Sequence, residues 1–413
     1  MNIKTIGVII MLVLFSASCN QEPIFYIIST ETAPLPPRIA GVPTNMVVFQ
    51  RVYPGIEEPV NIMYVASGRL HWYAKAPDGG GPEWDSNAYP IAQPEGKIIS
   101  LAVAGDRLYA LCRDGNGINA KLRCIESEWK AGEQWTTIAS EASSYPVIQT
   151  IYVAPESQRL FAGAGRSSFD ILYLDTAEDK LKTLIENSSL LSSAVCQNGI
   201  NYLSTRGNGI YQITDNDLTN ITQLEDMTDD ERNRNPARNF MSMIMLKDNS
   251  IIAVEREGGT LYAVQNGSFA RLRYAINNNW IATGKYATEA ITLWEEIDPV
   301  SGDTTRRLLV VGIQGGLYST TASSYTYGYV EFELNLDGSL NTAQTRRDPG
   351  NLLTVSDNDR YTTSLGKHPI NSLFQMPREI DEDIIFFAST QTAGLWSYRY
   401  IEKNGGWQWN AEN

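Results

Sequence analysis

Two histidines and four cysteines are the scarcest chemical groups of this 413-residue chain, and their positions limit the chemistry it can perform. His71 lies in the run Leu70-His71-Trp72-Tyr73, and His368 stands directly before Pro369. Each reads as a partly exposed structural residue. No His-x-His, His-Glu-x-x-His or Cys-x-x-Cys occurs, so the spacing that holds a catalytic zinc ion is missing. Gly-x-Ser-x-Gly is also absent, and without a histidine partner no serine or cysteine can be nominated as a nucleophile. Glu295 and Glu296, after Trp294, could face a channel, where a glycosidase needs two carboxyls at a defined separation. An exposed strand end is the expectation for them. Asp298-Pro299-Val300-Ser301-Gly302-Asp303 groups acids around a glycine but lacks the alternating ligands of a calcium loop, and reads as a hairpin turn. Gly207-Asn208-Gly209 and Gly258-Gly259 precede neither a helix start nor Lys-Ser/Thr, so they are not phosphate loops. No catalytic, cofactor or metal residue is assigned.

The elements that would position any site are more legible. Seven times a short strand-like run reaches an aliphatic residue that an aromatic usually follows: Leu70-His71-Trp72, Leu122-Arg123-Cys124, Leu172-Tyr173, Ile210-Tyr211, Leu261-Tyr262, Leu317-Tyr318 and Leu395-Trp396. Glycine precedes several of them, as at Gly209, Gly259, Gly316 and Gly394. Around each anchor stand further apolar runs separated by Gly, Asn and Asp, the pattern of strands joined by tight hairpins. In the fifth copy these are Phe240 to Leu246, Ile251 to Val254, Leu261 to Val264 and Phe269 to Leu272. A four-stranded meander cannot bury both faces alone, so the copies must stack on one another, and radial stacking leaves only short edges. The reading is all-β: a single β-propeller of seven four-stranded blades, starting near Met46, Ile98, Val147, Ser192, Phe240, Ala290 and Ile370. In the sixth copy the four strands are read at Ala290 to Trp294, Leu308 to Val311, Gly315 to Tyr318 and Tyr329 to Phe332. A solenoid or two sandwiches, and six or eight blades, are the alternatives. Two stretches break the pattern, Met227 to Arg238 and Asn341 to Lys367, and both read as solvated linkers.

The N-terminus reads as an address. Lys4 supplies a positive end, Ile6 to Phe15 is an apolar run too short to span a bilayer, and the small residues Ser16-Ala17-Ser18 lead directly to Cys19. This arrangement resembles a bacterial lipobox, whose cysteine is diacylated and becomes the new N-terminus. Ser16 stands where the family pattern favours leucine, and the relaxed form is similar to that of spirochaete lipoproteins. The resemblance implies a signal peptide over 1–18, a lipidated tether over 19–45 and the propeller over 46–413. It makes Cys19 the lipidation site and the acyl chains the membrane anchor. Thr32-Ala33-Pro34-Leu35-Pro36-Pro37 favours an extended spacer, and Phe25 to Ile28 is an apolar island that could complete the last blade. Of the other cysteines, Cys112 and Cys124 flank one hairpin and would face each other only if its centre fell near Ile118. The expectation is that they do not pair, with Cys196 buried as a small apolar residue.

The net charge of −14, without a run of basic residues, disfavours nucleic acid and anionic lipid surfaces as partners. The repeats resemble the degenerate propellers of extracytoplasmic sensors and assembly factors, at low motif specificity. They match the Ala-x-Asp-x-x-Thr-Gly-x-x-x-Trp unit of quinone-type propellers poorly and contain no Ser-x-Asp-x-Gly-x-Thr-Trp box. That resemblance is architectural only; the ring architecture, the lipid anchor and the missing catalytic constellation together lead to the expectation of a non-enzymatic binding or scaffold module in the cell envelope, with a protein or another envelope component as partner. Two alternatives stay open: a hydrolase or lyase acting on sugars or lactones at the channel mouth, and a glycan-binding propeller. Trp84, Trp129, Trp135, Trp280, Trp407 and Trp409 fall closer to loops or outer strands, where a binding rim would use them.

Overall fold

The computed structural model describes Ile39 and residues 42–77, 80–115, 119–140, 147–228, 231–298, 301, 303–315, 328–347, 368–382, 384–391, 393–401 and 406–412. Within the compact unit Ile39–Glu412 the described elements are β-strands, apart from one 3-10 turn at Glu231–Asn233. They form seven sheets, each a meander in chain order apart from a short parallel strand added at the outer edge of two of them. The first strands of the sheets are Asn45–Arg51, Lys97–Ala104, Ile148–Ala154, Leu191–Gln197, Phe240–Met245, Tyr286–Ile297 and Ile370–Gln375. Their starts coincide with or adjoin those read from the repeat, except in the sixth sheet, which begins at Tyr286 rather than Ala290. Each of these strands packs against its counterpart in the next sheet, and Ile370–Gln375 returns to Asn45–Arg51. The sheets are therefore the blades of a closed seven-bladed β-propeller, and these are its inner strands.

The driving force sits in the seams. Seven apolar clusters fill them, each drawn mainly from two neighbouring blades. Burying both faces of a blade in this way is what a lone meander cannot do. The aliphatic anchors supply the third strands: Leu70, Leu122, Leu172, Ile210, Leu261 and Leu395 lie at or near the third-strand start, each at most 2 % exposed. Leu317-Tyr318 lies outside the described residues. The glycine ahead of an anchor has a steric reason at Gly209, where φ is +69° and a Cβ would fall 1.9 Å from Pro236 O.

Blade 6 corrects the repeat reading. Its second strand is Thr304–Gly315, twelve residues long, and its third is Tyr329–Glu333, which the sequence reading placed fourth. The outer position is held by chain from the presumed linker: Glu331 and Arg347 exchange backbone hydrogen bonds of 2.8 and 2.9 Å. Outer edges are extended elsewhere too. Ala139–Ser140 runs parallel to Lys180–Ser188 of blade 3, and Glu225–Asp226 runs parallel to Ser268–Arg271 of blade 5. In both cases the chain leaving one blade latches onto the outer strand of the next.

Met227 to Arg238 is solvated along most of its described length, as a linker would be, but it is pinned at buried Thr228 and Arg238. Arg238 folds back so that Nε donates to Asp226 Oδ2 at 2.8 Å and Nη1 to Glu255 Oε1 at 3.1 Å. The backbone amides of Thr228 and Asn235 also donate to Asp226. Charges of both signs in one short stretch can satisfy each other, and that makes the Asp226–Arg238 pair at its base compatible with burial.

Among the described residues the ring closes without exchanging a strand: blade 1 draws its four strands from 45–84 and blade 7 from 370–411. Phe25 to Ile28 lies outside the described residues. Met46, Met63, Val65 and Tyr73 pack against Met376, Ile384, Phe387 and Leu395. Two polar clasps cross this seam, Tyr73 Oη to Asp381 Oδ2 at 2.7 Å and Trp84 Nε1 to Glu412 Oε2 at 3.1 Å. Glu412 also accepts from Ser397 and Arg399 within blade 7. Glu412→Ala should therefore lower stability by about 1–3 kcal/mol, the cost of leaving buried donors without an acceptor. Urea unfolding checks this, and an unchanged midpoint would show the clasp to be idle.

Candidate functional site

The inner strands surround a channel cavity of about 800 Å³ with lining residues from every blade. What points into it is set by one recurring irregularity. In five blades the pairing of the inner with the second strand skips one residue near its start: Ile99, Gln149, Ser192, Met241 or Asn371. An unpaired bulge residue re-aims its side chain, and Ile99, Gln149, Met241 and Asn371 line the cavity. A hydroxyl residue follows each bulge (Ser100, Thr150, Ser193, Ser242, Ser372), and two of these reach the backbone of the next blade. Thr150 Oγ1 donates to Leu191 O at 2.9 Å and Ser193 Oγ to Met243 O at 3.2 Å.

Blade 6 carries the widest bulge. Its register jumps from Ala287 to Ile291, which leaves Thr288, Glu289 and Ala290 unpaired. Gly312 makes room: a Cβ there would stand 2.7 Å from Thr288 Oγ1 and 2.9 Å from Ala290 Cβ. Glu289 is thereby delivered into the cavity, and among the described lining residues it is the one carboxylate. Tyr152 Oη, from blade 3, donates to Glu289 Oε2 at 2.6 Å. Arg206, from blade 4, forms an ion pair with Glu289 Oε1 through Nη2. Burial pushes the Tyr152 hydroxyl up to about 12, with the Arg206 charge acting in the opposite direction, so it is a proton donor at neutral pH. The Tyr152–Glu289–Arg206 group thus braces three blades across the channel.

Sequence reasoning missed Glu289 because it began the sixth copy one residue later. The available signal was a lone charge in the strand opening Thr288-Glu289-Ala290-Ile291. The acids it did consider lie elsewhere. Glu295 pairs with Arg307 at 2.7 Å and with Lys247, and burial raises its carboxyl less than these two partners lower it, leaving it below the usual range. Glu296 stands 3.9 Å from Arg306. Neither lines the channel. Asp298 N donates to Asp303 O where the first strand of blade 6 leads to the second, and residues 299, 300 and 302 lie outside the described ones.

His71 departs from expectation. It is 2 % exposed, with Nδ1 2.8 Å from Asp85 Oδ2. Asp85 also accepts from Trp72 N, and these bonds outweigh burial to hold its carboxyl below the usual range. His368 accepts a hydrogen bond from Gly328 N through its carbonyl. Among the described residues no three His, Cys, Asp or Glu side chains stand together as metal ligands. Cys112, Cys124 and Cys196 are free and buried. Cys112 faces Lys121 and Cys124 faces Tyr109, so the hairpin register sets the two thiols apart. Burial pushes the Cys112 thiol up to about 11. Cys19 lies outside the described residues.

The tryptophans expected at a rim are mostly committed to packing. Trp84 packs at a tilt against Tyr73 and Trp129 against Tyr53, Trp135 donates to Ala92 O, and Trp409 donates to Tyr329 Oη. Trp280 is covered by Arg273 at 3.5 Å from its ring centroid, and Trp407's side chain is outside the described ones.

No family model matches the chain, and neither does any curated protein. Solved structures do. Virginiamycin B lyase from Staphylococcus aureus superposes with a TM-score of 0.50 at 10% identity, covering 87% of this chain and 96% of that one. The computationally designed Ika8 protein gives 0.42 at 11% identity, covering 89% and 98%. BBS1N in complex with ARL6DN gives 0.46 at 13% identity, covering 86% and 90%. At such identities the likeness extends to the fold alone.

Proposed function

We propose that the chain is a bacterial lipoprotein, held in the cell envelope by acyl chains on Cys19, whose propeller is a non-enzymatic platform for a protein or another envelope component. One observation carries this reading. The carboxylate of the channel is already bonded by Tyr152 and Arg206 from two other blades, so it braces the ring and is not free to take a proton from a substrate. The face made by the inner-to-second and third-to-outer hairpins offers exposed acids, among them Glu57, Glu58, Asp106, Glu156, Glu178 and Glu382. Such a surface suits a basic partner.

A tagged chain should recover such a partner from detergent-solubilised envelopes. A Glu57→Lys, Glu58→Lys, Glu156→Lys variant should recover less, and high salt should weaken the capture. Recovery of no partner by wild type would count against the platform. For the anchor, Cys19→Ser should abolish incorporation of radiolabelled palmitate and release the protein from the membrane fraction. Persistent labelling of that variant would remove the lipoprotein assignment.

The second reading, a lyase or hydrolase, is favoured by the convergence of a phenol, a carboxylate and a guanidinium inside a cavity of ligand size. It requires that Glu289→Gln abolish turnover of an identified sugar or lactone.

A further inference from the structure

One mouth of the channel carries a pattern that neither the brace nor the platform reading uses. Where the second strand ends and turns into the third, blades 4 to 7 place Arg206, Arg256, Gln314 and Gln391. Three of them occupy the same turn geometry: the amides of Arg206, Arg256 and Gln391 bond the carbonyls of Leu190, Asn239 and Pro369, each just ahead of its own inner strand. Arg206, Gln314 and Gln391 line the cavity. Arg256 is exposed beside it, close enough for its charge to act against the Arg206 cation. The result is an arc of side-chain N–H groups over four consecutive blades, with two positive charges at one end.

The arc has unused capacity. Arg206 spends Nη2 on Glu289, while its Nε is buried and has no hydrogen-bond partner among the described residues. That N–H is closed to solvent, but the side chain as a whole is 29% exposed, and its remaining N–H groups leave it capacity to donate to an incoming anion. Arg206 is paired with Glu289, so the charge of Arg256 is left in excess beside the mouth. Below the arc the cavity offers hydroxyls and an aromatic face at Thr288, Ser372 and Tyr152. Its volume of about 800 Å³ suits a small molecule. Nearby amides are already occupied: Gln149 donates to Gly165 O and Asn371 to Pro43 O.

We infer that this mouth binds a sugar acid, with the carboxylate seated on Arg206 and Arg256 and the hydroxyls on Gln314, Gln391 and the cavity wall. Glu289 then has a second consequence. It competes with the ligand carboxylate for Arg206, so the empty site is kept neutralised and binding requires part of that ion pair to be exchanged. The inference is independent of the protein-platform reading, since it concerns the channel and not the acidic outer face.

The test is isothermal calorimetry on the detergent-solubilised full chain, with sodium galacturonate as probe and galactose as neutral control. Galacturonate should bind, and galactose should bind at least about tenfold more weakly, the factor expected for one charge-assisted contact. Arg256→Gln, at an exposed residue whose loss leaves folding intact, should weaken galacturonate about tenfold. Glu289→Gln should tighten it, an effect that general damage to the ring cannot produce. No binding of galacturonate, equal affinity for the two sugars, indifference to Arg256→Gln, or weaker binding by Glu289→Gln would each overturn the site.

Discussion

Arg238→Met is expected to destabilise the propeller by about 3–5 kcal/mol, as removal of one partner from a buried ionic network does. Arg238 is 7% exposed on its side chain and Asp226 is fully buried, with Glu255 only slightly exposed, so the acids left behind cannot rehydrate without opening the seam. The network extends further: Tyr262 Oη donates to Glu255 Oε2 at 3.1 Å, and Arg271 Nε donates to Tyr262 Oη at 2.8 Å. Arg238 also lies over the Tyr262 ring, 5.2 Å from its centroid. Asp226→Asn combined with Arg238→Met should recover part of the loss, because it removes one of the stranded charges. Guanidinium unfolding measures both, and a single-variant cost below about 1 kcal/mol would mean that the network is hydrated and contributes little.

The same network predicts a pH dependence. Burial would raise the Asp226 carboxyl, but hydrogen bonds from Thr228 and Asn235 and the Arg238 charge outweigh it and hold the group below its ordinary value. A carboxyl depressed on folding contributes stability that is complete above its unfolded pKa of about 3.9 and is lost as pH falls toward the folded value. Wild type should thus lose stability below about pH 4, and Asp226→Asn should lose less over that window.

Trp294→Ala should cost a similar amount, about 3–5 kcal/mol, by a different mechanism. Trp294 is fully buried between blades 6 and 7, stacked on Phe386 at 4.6 Å with 18° between the rings. Tyr398 meets it edge-on at 5.0 Å, and Tyr329 and Trp409 complete the cluster at 6.2 and 6.3 Å. Truncation leaves a void that rings from two blades cannot close together. Trp294→Phe makes the useful control. The indole Nε1 is buried without a partner among the described residues, so replacing it with a ring that carries no donor removes a polar penalty along with some packing. Thermal unfolding should place Trp294→Phe much closer to wild type than Trp294→Ala. Equal losses would locate the importance of the residue in the indole N–H instead.

Much of the architecture is legible from one sequence because blade construction is local. Hairpin turns, an apolar third-strand start and, in several copies, the glycine before it all lie within a few tens of residues, and the copies repeat them. Six of the seven blade starts could be placed to within one residue on that basis. The hydroxyl after each bulge was equally visible, at Ser100, Thr150, Ser193, Ser242 and Ser372, although its role appears only when the neighbouring blade is in place. Blade 6 escaped the reading because its irregularity is a change of register, and register is a relation between two strands that a one-dimensional pattern does not contain.

The chain's own residues thus dictated an all-β stack of meanders, since a thin sheet with two apolar faces must cover both on its neighbours. Ring closure decided the rest. It brought Glu289, Arg206 and Tyr152 from three separate blades to one point, and the fold pinned the charged stretch Met227 to Arg238 through the buried Arg238–Asp226 pair. Ionic and hydrogen-bonding partners so far apart in sequence leave no periodic signal, because their pairing depends on distance in space and on the local loss of water.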